Sequence, residues 1–162
     1  IAQRYCQKLP NFTVLFLRRE LEPLRLNHLR FINREAKALG AKFTSMKMTF
    51  EEQDSEVKFN HCVDPDSYRL YVGAEVDLVI FEQLEQITEL QFNEIGAAAG
   101  RVERSDWRGL IGASENPNGP LSAFVDTIFV QKNRQFLLGV PNDYYSPLWP
   151  RFINDSVPLY ES

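Results

Sequence analysis

The residues best placed to do chemistry are Glu82 and Gln83, which stand side by side where the run VDLVIF, residues 76–81, stops. A carboxylate at the end of a buried parallel strand is positioned to hold a magnesium ion. A second carboxylate beside it orients a water and takes its proton, which completes what hydrolysis of a nucleoside triphosphate needs. Here the second group is an amide, which orients water but cannot accept the proton. A further run, LIGA at 110–113, ends in Ser114, Glu115 and Asn116. Each polar ending alone reads equally well as a solvated strand end leading into a turn, so the elements that position them decide.

Those elements are legible in outline. FTVLFL, residues 12–17, is a near-continuous aromatic and branched run, the pattern of a strand covered on both faces, and Arg18 and Arg19 end it. Leu21, Leu24, Phe31, Ile32, Ala36 and Leu39 keep roughly helical spacing, with Gly40 as a natural stop. FTSMKMTF at 43–50 and EVKFN at 56–60 alternate as half-exposed strands around the polar EEQDS, which predicts a β-hairpin. VDLVIF is a second buried strand. Thr88 and Gln91 then have capping-box spacing, and Ile87 and Phe92 stand where a hydrophobic staple would, so a helix is expected from Glu89, fading at 96–100.

LIGA is the third expected buried strand, followed by the turn-forming SENPNGP. Residues 122–130 fit helix or strand, 136–140 suggest a fourth strand, and the tail from Pro141 is rich in Pro, Asn and aromatics. No internal repeat, low-complexity segment or interdomain linker stands out. Strands alternating with helices imply an α/β fold with a mostly parallel central sheet flanked by helices, plus the hairpin. Ligands of such sheets gather at the carboxyl ends of the strands, where Glu82, Gln83 and Asn116 would share one crevice.

Bulk properties narrow the field. A chain of 162 residues with 44% hydrophobic and 25% charged residues fits one soluble domain with a core. Its net charge of -4 gives no global basic field to advertise nucleic acid, though a local patch is compatible with it. Cys6 and Cys62 show no ligand spacing, which points to structural thiols in a reduced, intracellular setting. No apolar run is long enough for a membrane span, and no leader resembles a signal peptide. The chain begins with Ile, which suggests a piece of a longer protein.

The ordered set TVLFLRRELEPLRLNHL, KFTSMKMTF, EVKFN, YRLYVGAEVDLVIFEQLEQITELQF and ASENPNGP resembles the ATPase domain of the large terminase subunit of tailed bacteriophages, over nearly all of the chain up to about Val130. The resemblance implies a P-loop NTPase fold of the ASCE type. It also implies a motor that hydrolyses ATP with Mg²⁺ to drive double-stranded DNA into a procapsid. Its partners would be a portal protein, a small terminase subunit and further copies in a ring, in the host cytoplasm at the procapsid portal. Glu82 then stands at the Walker B acid, the metal-holding position, and Gln83 at the catalytic glutamate. Arg18 follows the first strand where the family places a basic residue, and Asn116 resembles the coupling motif that senses the γ-phosphate. Arg69 is the candidate arginine finger toward a neighbouring subunit, with Arg101 as the alternative.

Two departures accompany the resemblance. GxxxxGK[ST] does not occur, so the phosphate loop is expected upstream of Ile1, and without it residues 1–162 would be a partial ATPase domain that binds ATP poorly. The acidic metal cluster of the terminase nuclease domain is also missing, so DNA cleavage is not expected. Gln83 has three readings: a deliberate trapping substitution, a natural departure with another base, for which Glu85 is the nearest spare acid, or a register in which Glu82 is itself the base. The residues also fit a non-catalytic α/β interaction module, or another P-loop motor such as a helicase. His28 and His61 read as structural or exposed, and Trp107, Tyr144, Tyr145 and Trp149 as packing residues.

Overall fold

A computed structural model of the chain describes residues 2–100, 109–114, 116, 119 and 121–127. The expected strand at 136–140, the tail, Arg101, Trp107, Tyr144, Tyr145 and Trp149 lie outside the described residues.

Four strands form the parallel heart of the sheet: β1 (Thr13–Arg18), β4 (Ser55–His61), β5 (Leu78–Glu82) and β6 (Leu110–Ser114). With β2 (Lys42–Thr44) and β3 (Lys47–Phe50), the order is β2-β3-β4-β1-β5-β6. β1 pairs in parallel with β4 on one side and β5 on the other, and β5 pairs in parallel with β6. The fold is therefore the expected α/β arrangement. Alternation along β1 divides the core: Val14 joins Cys6, Leu24, Ile32, Val57 and Leu78 on one face, and Leu15 and Leu17 join Val79, Phe81, Phe92 and Ile95 on the other. Successive side chains of a strand point to opposite faces, so one doubly covered strand feeds two cores.

The first face is covered by α1 (Ala2–Lys8), α2 (Leu21–Leu24) and α3 (Arg30–Ala38). A π-helical turn, Arg25–Leu29, joins α2 to α3, so the expected helix is continuous but wider at its centre. Leu24, His28, Ile32 and Ala36 recur every four residues, which overshoots a 3.6-residue turn; the wider turn brings the stripe back toward the sheet. The second face carries α4 (Glu89–Gly100), the 3₁₀ segment Pro65–Tyr71 and the short α5 (Ser122–Val125). At the start of α4 the Thr88 amide donates to Gln91 Oε1 (3.0 Å) and the Gln91 amide to Thr88 Oγ1 (3.2 Å), which is the predicted capping box. Ile87 and Phe92 are both buried in one cluster.

Two expectations need correction. Residues 43–50 are two short strands, because Ser45 and Met46 both take positive φ (51° and 63°) and reverse the chain in a two-residue turn. The hairpin is thus a three-stranded meander continuous with the parallel sheet through β4. β6 is not a fully buried strand: Gly112 is half-buried, Ala113 and Ser114 are exposed, and β6 ends the sheet among the described residues.

Candidate functional site

The helix after β1 packs on the first face and the helix after β5 on the second, so the chain leaves these neighbouring strands in opposite directions. Such a switch point opens a crevice at the carboxyl ends of the two strands. Arg18 and Glu82 are the register partners there, with Ser114 beside Glu82 on β6.

Glu82 is held from two sides. Arg18 Nη1 lies 3.0 Å from its Oε2, and His28 Nε2 lies 2.7 Å from its Oε1. The His28 contact lacks hydrogen-bond geometry, so it is a close approach of the ring to the carboxylate and not a directed bond. His28 comes from the π-helical turn, and its ring packs 5.1 Å from that of Phe16 on β1. The second nitrogen of the Arg18 guanidinium donates to Gln83 Oε1. Arg18 is 6% exposed, so one buried cation is shared by the two residues at the tip of β5. Sequence reasoning takes His28 as structural or exposed; the signal that marks it is a titratable residue at an inward position of an otherwise apolar helical stripe.

Gln83 takes a left-handed conformation (φ 55°, ψ 57°) and its amide lies 3.4 Å from Ser114 Oγ. This turn aims the next residues at the second face: Leu84 and Glu85 are buried there, and the Glu85 carboxylate accepts the Asn116 amide at 3.2 Å. The Glu85 carbonyl accepts the Leu121 amide, and a Cβ at Gly119 would lie 2.1 Å from Glu85 Cγ, so only glycine fits. Glu85 is therefore committed to anchoring the loop around Asn116, which places it poorly as a replacement base. Glu82, Gln83, Arg18 and Asn116 all lie at the carboxyl edge of the sheet, with Asn116 tied through Glu85. Arg69 is not brought to that crevice: it lies exposed in the 3₁₀ segment on the second face, 3.6 Å from Asp66. His61 follows Asn60 at the end of β4 and is the register partner of Arg18.

Among the described residues no cluster of three or more His, Cys, Asp or Glu forms a metal cage. One feature still fits a magnesium ion. Glu82 Oε2 is buried 3.0 Å from Arg18 Nη1, an ion pair without hydrogen-bond geometry, so a magnesium ion there would share the carboxylate with the guanidinium. Magnesium is often held by one carboxylate together with waters and substrate phosphates, so a single such oxygen suffices. A cleft of about 290 Å³ opens beside the site, lined by Phe16, Asn27, His28 and Ile80 among others.

No protein-family model matches the sequence, and no curated protein matches it. Solved structures match the fold. The large terminase of a thermophilic bacteriophage superposes with a TM-score of 0.63 at 17% identity, over 80% of this chain and 32% of that one. The ADP complex of the same terminase gives 0.56 at 17%, over 73% and 30%. The large terminase of bacteriophage HK97 gives 0.55 at 14%, over 96% and 38%. The chain thus spans about a third of the length of these structures.

Proposed function

We propose that this chain is part of the ATPase motor of a phage large terminase, in which ATP hydrolysis drives double-stranded DNA into a procapsid. The carrying observation is the carboxylate of Glu82, paired with Arg18 at the switch point, in a sheet that superposes on large terminases, one of them an ADP complex. Mg²⁺ would offset charge on the β- and γ-phosphates of ATP. Glu82 would hold its water shell, and Gln83 would orient the attacking water through its amide. Arg18 would keep both side chains aimed at the crevice, Asn116 would report the state of the γ-phosphate through its loop, and Arg69 would serve a neighbouring copy. The motor reading carries with it a homo-oligomeric ring, a portal protein and small subunit as partners, and a place in the host cytoplasm at the procapsid portal.

A second reading, a non-catalytic α/β interaction module, is favoured by the guanidinium that already neutralises Glu82. Restoring glutamate at position 83 in the full-length protein separates the two. General-base catalysis contributes about 10²–10⁴-fold, so the motor reading expects ATP turnover to rise by at least the lower figure. An unchanged rate would leave the module reading in possession.

A further inference from the structure

We infer that Glu85 is a positioning residue through which the state of the Glu82–Gln83 edge sets the position of the loop around Asn116. The inference rests on the proposed nucleotide site for what would load that edge. The link itself consists of contacts within the chain and is testable without nucleotide.

The link begins as a turn that is held at both ends. After the left-handed Gln83 the chain closes a 3₁₀ segment, Leu84–Gln86, in which the Gln86 amide donates to the Gln83 carbonyl and the Ile87 amide to the Leu84 carbonyl, both at 3.0 Å. Leu84 is fully buried and anchors the segment in the second core. The end of β1 grips it from the other side. Arg18 donates to Gln83 Oε1, and Arg19 Nη1 donates to the Gln86 carbonyl at 2.7 Å, so two consecutive arginines clamp the first and last residues of the turn. A displacement at Gln83 therefore moves the turn as a unit.

Glu85 carries that unit to the chain beyond β6. It is 3% exposed; its Oε2 accepts the Asn116 amide at 3.2 Å, and its carbonyl accepts the Leu121 amide at 3.1 Å. Gly119 closes on the same side chain, where a Cβ would lie 2.1 Å from Glu85 Cγ and 2.3 Å from Glu85 Cβ. A side chain packed this tightly has no slack in which to absorb a shift, and a close-packed interior transmits strain. Leu121 and Val125 continue the path into the second core. The direct route from Gln83 to β6 is weaker, because the Gln83 amide lies 3.4 Å from Ser114 Oγ at an exposed position. The buried carboxylate is thus the firmer connection between the two strand ends.

The test is hydrogen exchange of the full-length protein, resolved to single amides by mass spectrometry. Glu85→Met keeps the length of the side chain and removes its acceptor, Glu85→Gln keeps an acceptor oxygen, and Gln83→Gly frees the left-handed turn, which glycine adopts without steric cost. Exchange of the Asn116 amide should speed up at least about tenfold in Glu85→Met and stay close to the parent in Glu85→Gln. Gln83→Gly should speed it at least about threefold in the parent and leave it unchanged in a Glu85→Met background, the non-additivity expected of a shared path. Coupling is reciprocal, so Gly119→Ala, which wedges Glu85 from the loop side, should speed exchange of the Gln86 amide. Should Glu85→Met fail to fold, this variant decides, and an unchanged Gln86 rate would overturn the link. Saturating Mg²⁺–ATP should change Asn116 exchange in the parent and in Glu85→Gln but not in Glu85→Met. Equal effects of Gln83→Gly in both backgrounds, or an Asn116 response to nucleotide that survives Glu85→Met, would overturn the assignment. A parent protein that binds no Mg²⁺–ATP would sink the motor reading alone, and the Gln83→Gly comparison, made without nucleotide, still decides the link.

Discussion

Gln83 combines a left-handed backbone with a side-chain bond to a buried arginine. A non-glycine residue in that region costs roughly 1–3 kcal/mol and persists only where its surroundings hold it. The benefit is visible: the turn leaves Glu82 facing the crevice while Leu84 and Glu85 enter the opposite core. Arg18 is the residue on which this depends. Arg18→Ala would leave Glu82 beside His28 alone, and breaking a buried pair from one side costs on the order of 3 kcal/mol, readable as a lowered urea midpoint. The double variant Arg18→Ala, Glu82→Gln should recover part of that loss; strictly additive effects would show that the pair is not coupled. The amide at 83 is legible from sequence, and so is Glu82. The convergence of His28 is not, because it depends on a π-helical turn and on the distance between a helix and a strand end.

Elements carry the fold through local chemistry. Thr88 and Gln91 announce the start of α4, and the structure adds what spacing alone does not show. Gln91 Nε2 also donates to the carbonyls of Cys62 (3.1 Å) and Asp64 (2.7 Å), tying the loop after β4 to the helix start. Thr88→Ala should therefore cost about 1 kcal/mol, as for an ordinary cap. Gln91→Ala should cost more, because it also strands the buried Cys62 carbonyl, at about 1–3 kcal/mol. Equal losses in thermal denaturation would contradict this role for Gln91. The meander escapes sequence reasoning for an equally local reason: Ser45 and Met46 carry none of the Asn-Gly chemistry that marks a positive-φ turn, so 43–50 passes for one alternating strand.

At the scale of the molecule, two cores lie on opposite faces of one sheet, each with a buried thiol. Cys6 and Cys62 cannot meet across the strands, consistent with their reading as structural thiols. Burial pushes the Cys6 thiol up to about 12, helped by the carboxylates of Asp77 and Glu56, and burial pushes Cys62 up to about 11 against the pull of Arg19. Raised values in the folded state mean that this contribution to stability is intact below the ordinary thiol value near 9 and is lost as pH climbs toward 11–12. Each unit in that window costs about 1.4 kcal/mol per thiol. Urea midpoints of the double variant Cys6→Ala, Cys62→Ala should fall less steeply above pH 9 than those of the parent chain; parallel slopes would contradict the assignment. Alternating strands and helices make the sheet and its carboxyl edge readable from sequence, whereas the contacts of Arg19 and Glu85 depend on tertiary neighbours. The central claim is that this edge is a magnesium–nucleotide site built on Glu82. Its most direct test is equilibrium binding of ATP to the full-length protein, with and without Mg²⁺, for the parent and for Glu82→Gln. The account predicts Mg²⁺-dependent binding that weakens at least tenfold in the variant, and binding indifferent to both the metal and residue 82 would contradict it.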